Sequence, residues 1–262
     1  MMKISVICPT YNSSKFIQTT LESILKQIRM PDELIISDDG STDNTLDVIE
    51  DYLRSHCKKL NYKIVKNSHK GPGAARNSGI RSSTCKWIAF LDSDDIWYPN
   101  KISHIHEIMS ENEDVNFICH NEIHVSKGKN KHAVDYSKKF KADRPLFEQL
   151  YISNLFSTSA VVCKKDLLIN HGMFDESLMS AQDYDLWLRL APNIRVHFVK
   201  KILGEYTIRS GNITSSSIIN RFRNEIKIAR KYSRSFKPQK FVIRIIIIIL
   251  SYIKQLILKY IR

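Results

Sequence analysis

The chain has 262 residues, 43% of them hydrophobic and 26% charged, with eight glycines and seven prolines. That length can bury a core without disulfide or metal staples, and the composition excludes wholesale disorder and collagen-like or linker-like sequence. Forty Lys and Arg against 27 Asp and Glu give +13, unevenly spread: residues 221–262 hold twelve basic residues and one acid, Glu225, for +11, which leaves +2 on residues 1–220. A nucleic-acid binder wears its charge on the folded body, whereas a basic tail studded with Ile and Leu suits an anionic membrane surface.

In chain order, Ile4–Pro9 is a short apolar run ended by Pro, the mark of a buried parallel strand. Ser13-Ser14 offers a cap for a helix through Phe16, Ile17, Thr20, Leu21, Ile24 and Leu25. Glu33–Ser37 predicts a second strand, the turn Asp38–Asp43 follows, and Val48, Ile49, Tyr52 and Leu53 mark a second helix. Tyr62–Lys66 reads as a third strand, Gly71-Pro72-Gly73 as a loop, and Ala74–Ile80 as the start of a third helix. Trp87–Leu91 predicts a fourth strand ending at Asp92-Ser93-Asp94-Asp95. Such alternation implies an α/β fold with a parallel sheet between helices.

The second half is less regular. Val115–Val125, Ser157–Cys163, Arg195–Val199 and Ile202–Ile208 are strand candidates. Lys127–Lys141 reads as a mobile Lys-rich loop, a short helix begins near Gln182, and Ile218–Tyr232 is an amphipathic helix. The five cysteines are odd in number and form no CxxC, which suits a reducing cytosol. The N-terminus runs straight into the first strand with no signal peptide.

The polar signatures all fall just after a strand, where ligands bind in open α/β sheets. Thr10–Asn12, Asp38–Asp39 and Asp92–Asp95 should therefore converge along one edge. Asp92 and Asp94 suit a hard divalent cation bridging to a diphosphate; alone, the motif is weak and reads first as an Asp-rich helix cap, with Asp95 the capping residue in either reading. Asp39 can accept hydrogen bonds from a base or ribose, or can simply close a turn. Gly71–Asn77 joins a glycine loop to a helix N-terminus with Arg76 nearby, which suits phosphate or a plain loop–helix junction. Asp183 and Trp187 are four apart on one helix face, with Asp183 in the first turn, where the helix dipole favours an acid.

Together, Ser5–Asn12, Asp38–Asp43, Ala75–Gly79, Leu91–Asp95 and Gln182–Asp185 resemble, in this order, the inverting nucleotide-sugar glycosyltransferases of family 2 with the GT-A fold. The resemblance covers residues 3–215 and implies a Rossmann-like, mostly parallel sheet flanked by helices, here followed by a basic amphipathic helical tail. It implies a catalytic domain over residues 1–215, with a nucleotide-binding half (1–100) and an acceptor-binding half (101–215), and a tail over 216–262. It places Thr10 and Tyr11 at the nucleoside pocket, with Asn12 also among the donor-binding residues, Asp39 at uracil, Arg76 at the ribose and phosphates, and Asp92 and Asp94 at a metal-bound diphosphate, the metal being Mn²⁺ or Mg²⁺. Asp183 matches the catalytic base. The sequence departs from the family pattern at Gln182, often Glu, and at Arg209, often a His that helps to hold the metal. Arg209 is therefore expected to contact the diphosphate directly, since a guanidinium has no lone pair for a cation.

In the tail, Arg244 and Lys254 bound nine uncharged residues, too few for a span of about 20. An in-plane basic helix fits better, although a core or dimer helix stays open. The expectation is an enzyme on the cytoplasmic face of the membrane that moves one sugar from a nucleotide-sugar, a UDP-sugar by resemblance, to a glycan or lipid-linked glycan of surface polysaccharide assembly. It lacks the Gln-x-x-Arg-Trp motif and the several spans of processive members. A nucleotidyltransferase would want a glycine-rich basic loop where Thr10-Tyr11-Asn12-Ser13 stands. A nucleic-acid-binding protein is disfavoured by the near-neutral body.

Overall fold

The computed structural model describes residues 2–126, 130–209 and 218–260. The first half alternates as its periodicity predicts: β1 (Ile4–Thr10), α1 (Ile17–Leu25), β2 (Glu33–Asp38), α2 (Thr45–His56), β3 (Tyr62–Lys66), α3 (Pro72–Ser82) and β4 (Trp87–Phe90). There follow β5 (Ile96–Trp97), α4 (Lys101–Glu111), β6 (Phe117–Val125), β7 (Lys131–Val134), α5 (Leu146–Ile152), β8 (Val161–Lys164), α6 (Lys165–Ile169) and α7 (Gln182–Leu190). The order closes with β9 (Val196–Thr207), α8 (Ile218–Tyr232) and α9 (Pro238–Tyr260).

One sheet runs β3-β2-β1-β4-β8-β6-β9-β5, with β7 beside β6. It is parallel through β3, β2, β1 and β4. β8 is antiparallel to both of its neighbours, and β6 and β9 are again parallel. Every residue of β1, β2 and β4 is buried. Within them Val6–Cys8, Leu34–Ile36 and Trp87–Phe90 read as unbroken apolar runs because a sheet covered on both faces leaves no alternation. On one face Ile7, Ile80, Phe117, Tyr151 and Trp187 form a core with α3, α5 and α7. On the other, Val6, Leu21, Ile49 and Ile105 form a second core with α1, α2 and α4. The close approach of α3 to β1 depends on Gly79, where an added Cβ would lie 2.5 Å from Ile7 Cγ2.

Several local expectations are corrected. Ser13 and Ser14 do not cap α1 with their side chains; Ser13 Oγ pairs with Ser93 Oγ at 2.7 Å and Ser14 Oγ donates to Asp43 at 2.8 Å. Asp95 caps no helix, because β5 follows it and its carboxylate is buried. The strand candidates at 195–199 and 202–208 are one strand, β9, whose pairing with β6 shifts register around Asn121 and so splits the sequence pattern. Part of the Lys-rich segment is a strand, β7, paired with β6; residues 127–129 of that expectation lie outside the described residues. Residues 158–160 of the 157–163 candidate form a 3-10 turn ahead of β8.

The two C-terminal helices pack together through Ala229, Ile248 and Tyr252. α8 is tied to α7 by Lys231 Nζ and Tyr232 OH, which reach Asp185 Oδ1 at 2.7 and 3.0 Å. The inner side of α9 is thus built onto the body. Its outer side carries an exposed apolar stripe of Val242, Ile243, Ile246, Ile249, Leu250, Ile253, Leu256 and Ile257. Among the described residues no helix is long and apolar enough to cross a membrane. Residues 216–217 and 261–262 of the expected tail, and 210–215 of the expected catalytic domain, lie outside the described residues.

Candidate active site

The ends of β1, β2 and β4 bring the motifs together. Thr10 is buried, donates to Asp38 Oδ1 at 3.0 Å, and accepts Asp39 N–H through its carbonyl at 2.8 Å. Asn12 has a positive φ of 46°, and its Oδ1 accepts the N–H groups of Thr42 and Asp43 at 2.9 and 3.3 Å. Tyr11 is exposed and stacks on His69 with ring centroids 4.2 Å apart. Asp39 is buried and already well supplied with donors. Its Oδ1 accepts Lys70 N–H at 2.9 Å, its Oδ2 accepts Gly71 N–H at 2.9 Å, and His69 Nδ1 lies 2.8 Å from Oδ2. The carboxylate therefore pins the turn between β3 and α3. Gly71 adopts φ 95°, which a side chain rarely tolerates.

The Asp92–Asp95 turn shows a pairing that the sequence does not reveal. Arg76 Nη2 lies 2.6 Å from Asp92 Oδ1, and Arg209 Nε lies 2.8 Å from Asp94 Oδ2. The repulsion between the two acids is relieved by two guanidiniums, one from α3 and one from the segment after β9. Arg209 also covers the Phe16 ring, 4.1 Å from its centroid. Burial, with Asp92 beside it, pushes the Asp94 carboxyl above the usual range, and Arg209 opposes this. Among the described residues no cluster of three or more His, Cys, Asp and Glu forms a protein-only metal cage. Asp92 and Asp94 do fit the other arrangement, in which one or two carboxylates share a small divalent cation with substrate phosphates.

Asp183 and Asp185 are two apart on α7 and do different things. Asp185 is fully buried and accepts from Arg189 Nε at 2.9 Å as well as from Lys231 and Tyr232. It is structural. Trp187 lies in the core, packed edge-on against Phe117. Asp183, in the first turn of α7, accepts from Asn154 Nδ2 at 3.1 Å. Burial pushes its carboxyl above the usual range; Arg76 lowers it and Asp92 raises it. The start of α7 lies against the start of α3, where a Cβ on Gly73 would sit 3.7 Å from Gln182 Cγ, which brings Asp183 to the same end of the sheet as Arg76. Of the residues singled out in sequence, Thr10, Asp39, Arg76, Asp92, Asp94, Asp183 and Arg209 border one region, with Tyr11 and Asn12 beside the β1 and β2 ends.

Beneath the turn lies a buried network that sequence reading missed. Ser159 Oγ donates to Asp95 Oδ2 at 2.6 Å and accepts Asp92 N–H at 3.1 Å. The Ser159 carbonyl accepts from Trp97 Nε1 and from Lys101 Nζ, at 3.0 and 2.8 Å. Thr207 N–H donates to Asp95 Oδ1 at 2.8 Å. Burial pushes the Lys101 ammonium well below, and the Asp95 carboxyl well above, their ordinary values. Each is driven toward its neutral form. No spacing rule points to Ser159, Lys101 or Asn154; they meet the site only through tertiary packing.

Residues 5–169 match the family model for glycosyl transferase family 2. An uncharacterised glycosyltransferase of Rickettsia prowazekii is 31% identical over 82% of this chain and 67% of its own length. Two other rickettsial relatives are longer, and the chain spans 34% of each. The Escherichia coli protein named UDP-Glc:alpha-D-GlcNAc-diphosphoundecaprenol beta-1,3-glucosyltransferase WfgD is 28% identical over 81% of this chain and 80% of its own. The crystal structure of residues 1–349 of TarS from S. aureus, in complex with UDP-GlcNAc, superposes with a TM-score of 0.67 at 25% identity, over 87% of this chain and 66% of that one. With the family model spanning more than half of its length and a GT-A neighbour sharing its architecture, the chain belongs to glycosyl transferase family 2 and is a glycosyltransferase of the GT-A fold.

Proposed function

We propose that the protein is a non-processive inverting glycosyltransferase that moves one sugar from a UDP-sugar to a lipid-linked glycan in surface polysaccharide assembly. The observation that carries this reading is the meeting of Asp39, the Arg76–Asp92 and Arg209–Asp94 pairs and Asp183 beyond the C-terminal ends of the parallel strands. The printed name of WfgD, with its UDP-glucose donor and diphosphoundecaprenol acceptor, supports both substrate classes. TarS bound to UDP-GlcNAc supports the donor.

In this reading residues 1–100 bind the donor and residues 101–215 the acceptor. Tyr11, Asn12, Thr10 and Asp39 hold the nucleoside. Arg76 and Arg209 exchange a carboxylate for phosphate oxygens, which guanidinium geometry matches in two-pronged fashion. A divalent cation, Mn²⁺ or Mg²⁺, supplies charge neutralisation at the diphosphate when bound; Asp94 and Asp92 would hold it. Asp183 takes the proton of the acceptor hydroxyl as that oxygen bonds to the anomeric carbon. The bond from that carbon to the diphosphate oxygen breaks with its electron pair going to UDP. A single displacement inverts the centre. The raised Asp183 carboxyl is the stronger base for it.

The exposed stripe on α9, flanked by the basic residues of 221–262, supports a peripheral place on the anionic inner face of the cytoplasmic membrane. The function is tested with UDP-glucose, UDP-GlcNAc and a GlcNAc-diphospho-alkyl acceptor, following UDP release. Asp183→Asn keeps shape and should lose about 10²–10⁴-fold in turnover while calorimetry shows UDP affinity kept. Loss of UDP binding in that variant would assign Asp183 to the donor pocket instead.

A further inference from the structure

One charge sits inside the most apolar stretch of the chain. Arg244 lies between Ile243 and Ile245 on α9 and is only 5% exposed. A buried ion pair is no bargain for stability, since apolar residues of the same volume often do as well. What Arg244 touches is more telling. Its Nη1 donates to the carbonyl of Ile152 at 3.0 Å, and its Nη2 to Glu225 Oε2 at 3.0 Å. The guanidinium covers the Tyr184 ring, 5.0 Å from the centroid. Tyr184 OH in turn donates to the carbonyl of Tyr151 at 2.9 Å.

Those contacts are the two sides of the Asp183 site. Ile152 is the last residue of α5, and two residues on stands Asn154, the donor to Asp183 Oδ2. Tyr184 is the next residue after Asp183 on α7. One guanidinium therefore clamps the backbone that presents Asn154 to the helix turn that presents Asp183. Glu225, which also accepts from Tyr252 OH at 3.0 Å, holds that guanidinium in place. No single apolar side chain at 244 reaches a carbonyl, a carboxylate and a ring face together.

We propose that Arg244 is a positioning residue for the Asp183 carboxylate, so that the C-terminal helix is part of the catalytic apparatus and more than an attachment. The proposal rests on the reading of Asp183 as the base. Misplacing a base by about an ångström costs up to about 10²-fold in rate. Arg244→Met in the full chain should keep UDP affinity within about twofold and lose about 10–100-fold in turnover. Arg244→Lys retains a charge for Glu225 but not the second bond to Ile152, and should recover only part of the rate.

The test is a cycle of wild type, Arg244→Met, Asp183→Asn and the double variant, measured by UDP release from UDP-glucose with the GlcNAc-diphospho-alkyl acceptor. If Arg244 acts through Asp183, the double variant is no slower than Asp183→Asn. Multiplying losses would place the effect elsewhere and overturn the proposal, as would a wild-type rate in Arg244→Met. Normal turnover in Asp183→Asn would instead sink the reading of the base, and the proposal with it. Crystal structures of Arg244→Met and Arg244→Lys give a readout that needs no turnover. Asn154 should move out of hydrogen-bond reach of Asp183, and an unchanged pair at 3.1 Å overturns the proposal.

Discussion

The proposed function gives Asp39 two roles, holding a turn and meeting the donor's base, and Asp39→Ala compared with Asp39→Asn separates them. Its carboxylate is the acceptor for the backbone N–H groups of Lys70 and Gly71, and His69 Nδ1 lies against it. The variant leaves the Lys70 and Gly71 donors without it. An unsatisfied buried donor costs about 1–3 kcal/mol. Gly71 is buried and incurs that cost in full; Lys70 is exposed and turns to water. His69 is half-exposed and adds little. The expected loss is about 1–3 kcal/mol, or roughly 2–12 °C in Tm at about 2–4 °C per kcal/mol for a domain near this size. If Asp39 also meets the donor's base, UDP binding weakens by a further 1–3 kcal/mol or so, beyond what the loosened turn explains. Asp39→Asn is the control: its amide oxygen still accepts from the turn, while a hydrogen of its NH₂ now faces the base. Melting curves and UDP calorimetry on both variants decide it. A Tm for Asp39→Ala within about 1 °C of wild type would refute the turn argument, and UDP affinity equal in all three proteins would refute the role at the base.

The remaining predictions follow from other contacts. Arg209→Ala should weaken UDP binding in calorimetry even without metal, because a guanidinium 2.8 Å from Asp94 is within reach of the diphosphate; Arg209→His should tighten Mn²⁺ binding without UDP, and unchanged titrations in both would make Arg209 a surface residue. Ile246→Ser with Ile253→Ser changes only the exposed stripe, so it should reduce binding to phosphatidylglycerol vesicles and leave UDP affinity and Tm unchanged; cutting the chain after Ser235 is the poorer test, since it also removes Arg244 from Tyr184. His124 is pushed down to about 4 by burial, with His132 and Lys139 beside it. Between its ordinary 6.5 and about 4 the unfolded chain binds a proton that the folded one refuses, so this residue's share of stability is lost as pH falls through that range. His124→Gln should therefore gain in Tm relative to wild type as pH drops from 7 to 5, and a constant gap would refute the assignment.

The first half of the fold was legible because a parallel sheet buried on both faces writes itself as apolar runs at regular intervals. The buried strands β1, β2 and β4 agree with their expected bounds to within a residue, while β3, an exposed edge strand, matches residue for residue through Tyr62, Ile64 and Val65. The second half was harder for a physical reason. β9 carries a register shift against β6, so its pattern breaks midway and reads as two strands. β7 is an edge strand with exposed lysine and histidine, so nothing apolar marks it. β5 is two residues long, below the length at which any period exists. α8, by contrast, is a full amphipathic helix and matches its expected bounds at both ends.

The acids of the site were legible and their partners were not. Each of Asp39, Asp92, Asp94 and Asp183 stands at a strand end or helix start, where local grammar already marks a polar residue. Arg76 is 16 residues from Asp92, and Arg209 is 115 from Asp94. Pairing over such distances is settled by which strands lie side by side, and that order, with β8 inserted beside β4 and β5 beside β9, is absent from any local window. The same limit explains the tail. Read locally, Arg244 merely ends an apolar run and argues against a membrane span. In the fold it faces inward to Ile152, Glu225 and Tyr184, while Ile243 and Ile246 turn outward. Although Ile248 and Tyr252 are also buried, a helix that turns the charge of Arg244 inward and an apolar stripe outward inverts the usual amphipathic order at that point. Such an inversion is favoured when the charge is paired within the protein and the stripe is covered by something other than water. Glu225 pairs the charge and the Ile152 carbonyl takes a second N–H, while among the described residues the buried Nε has no hydrogen-bond partner. The second condition is the physical ground for expecting a lipid surface at α9.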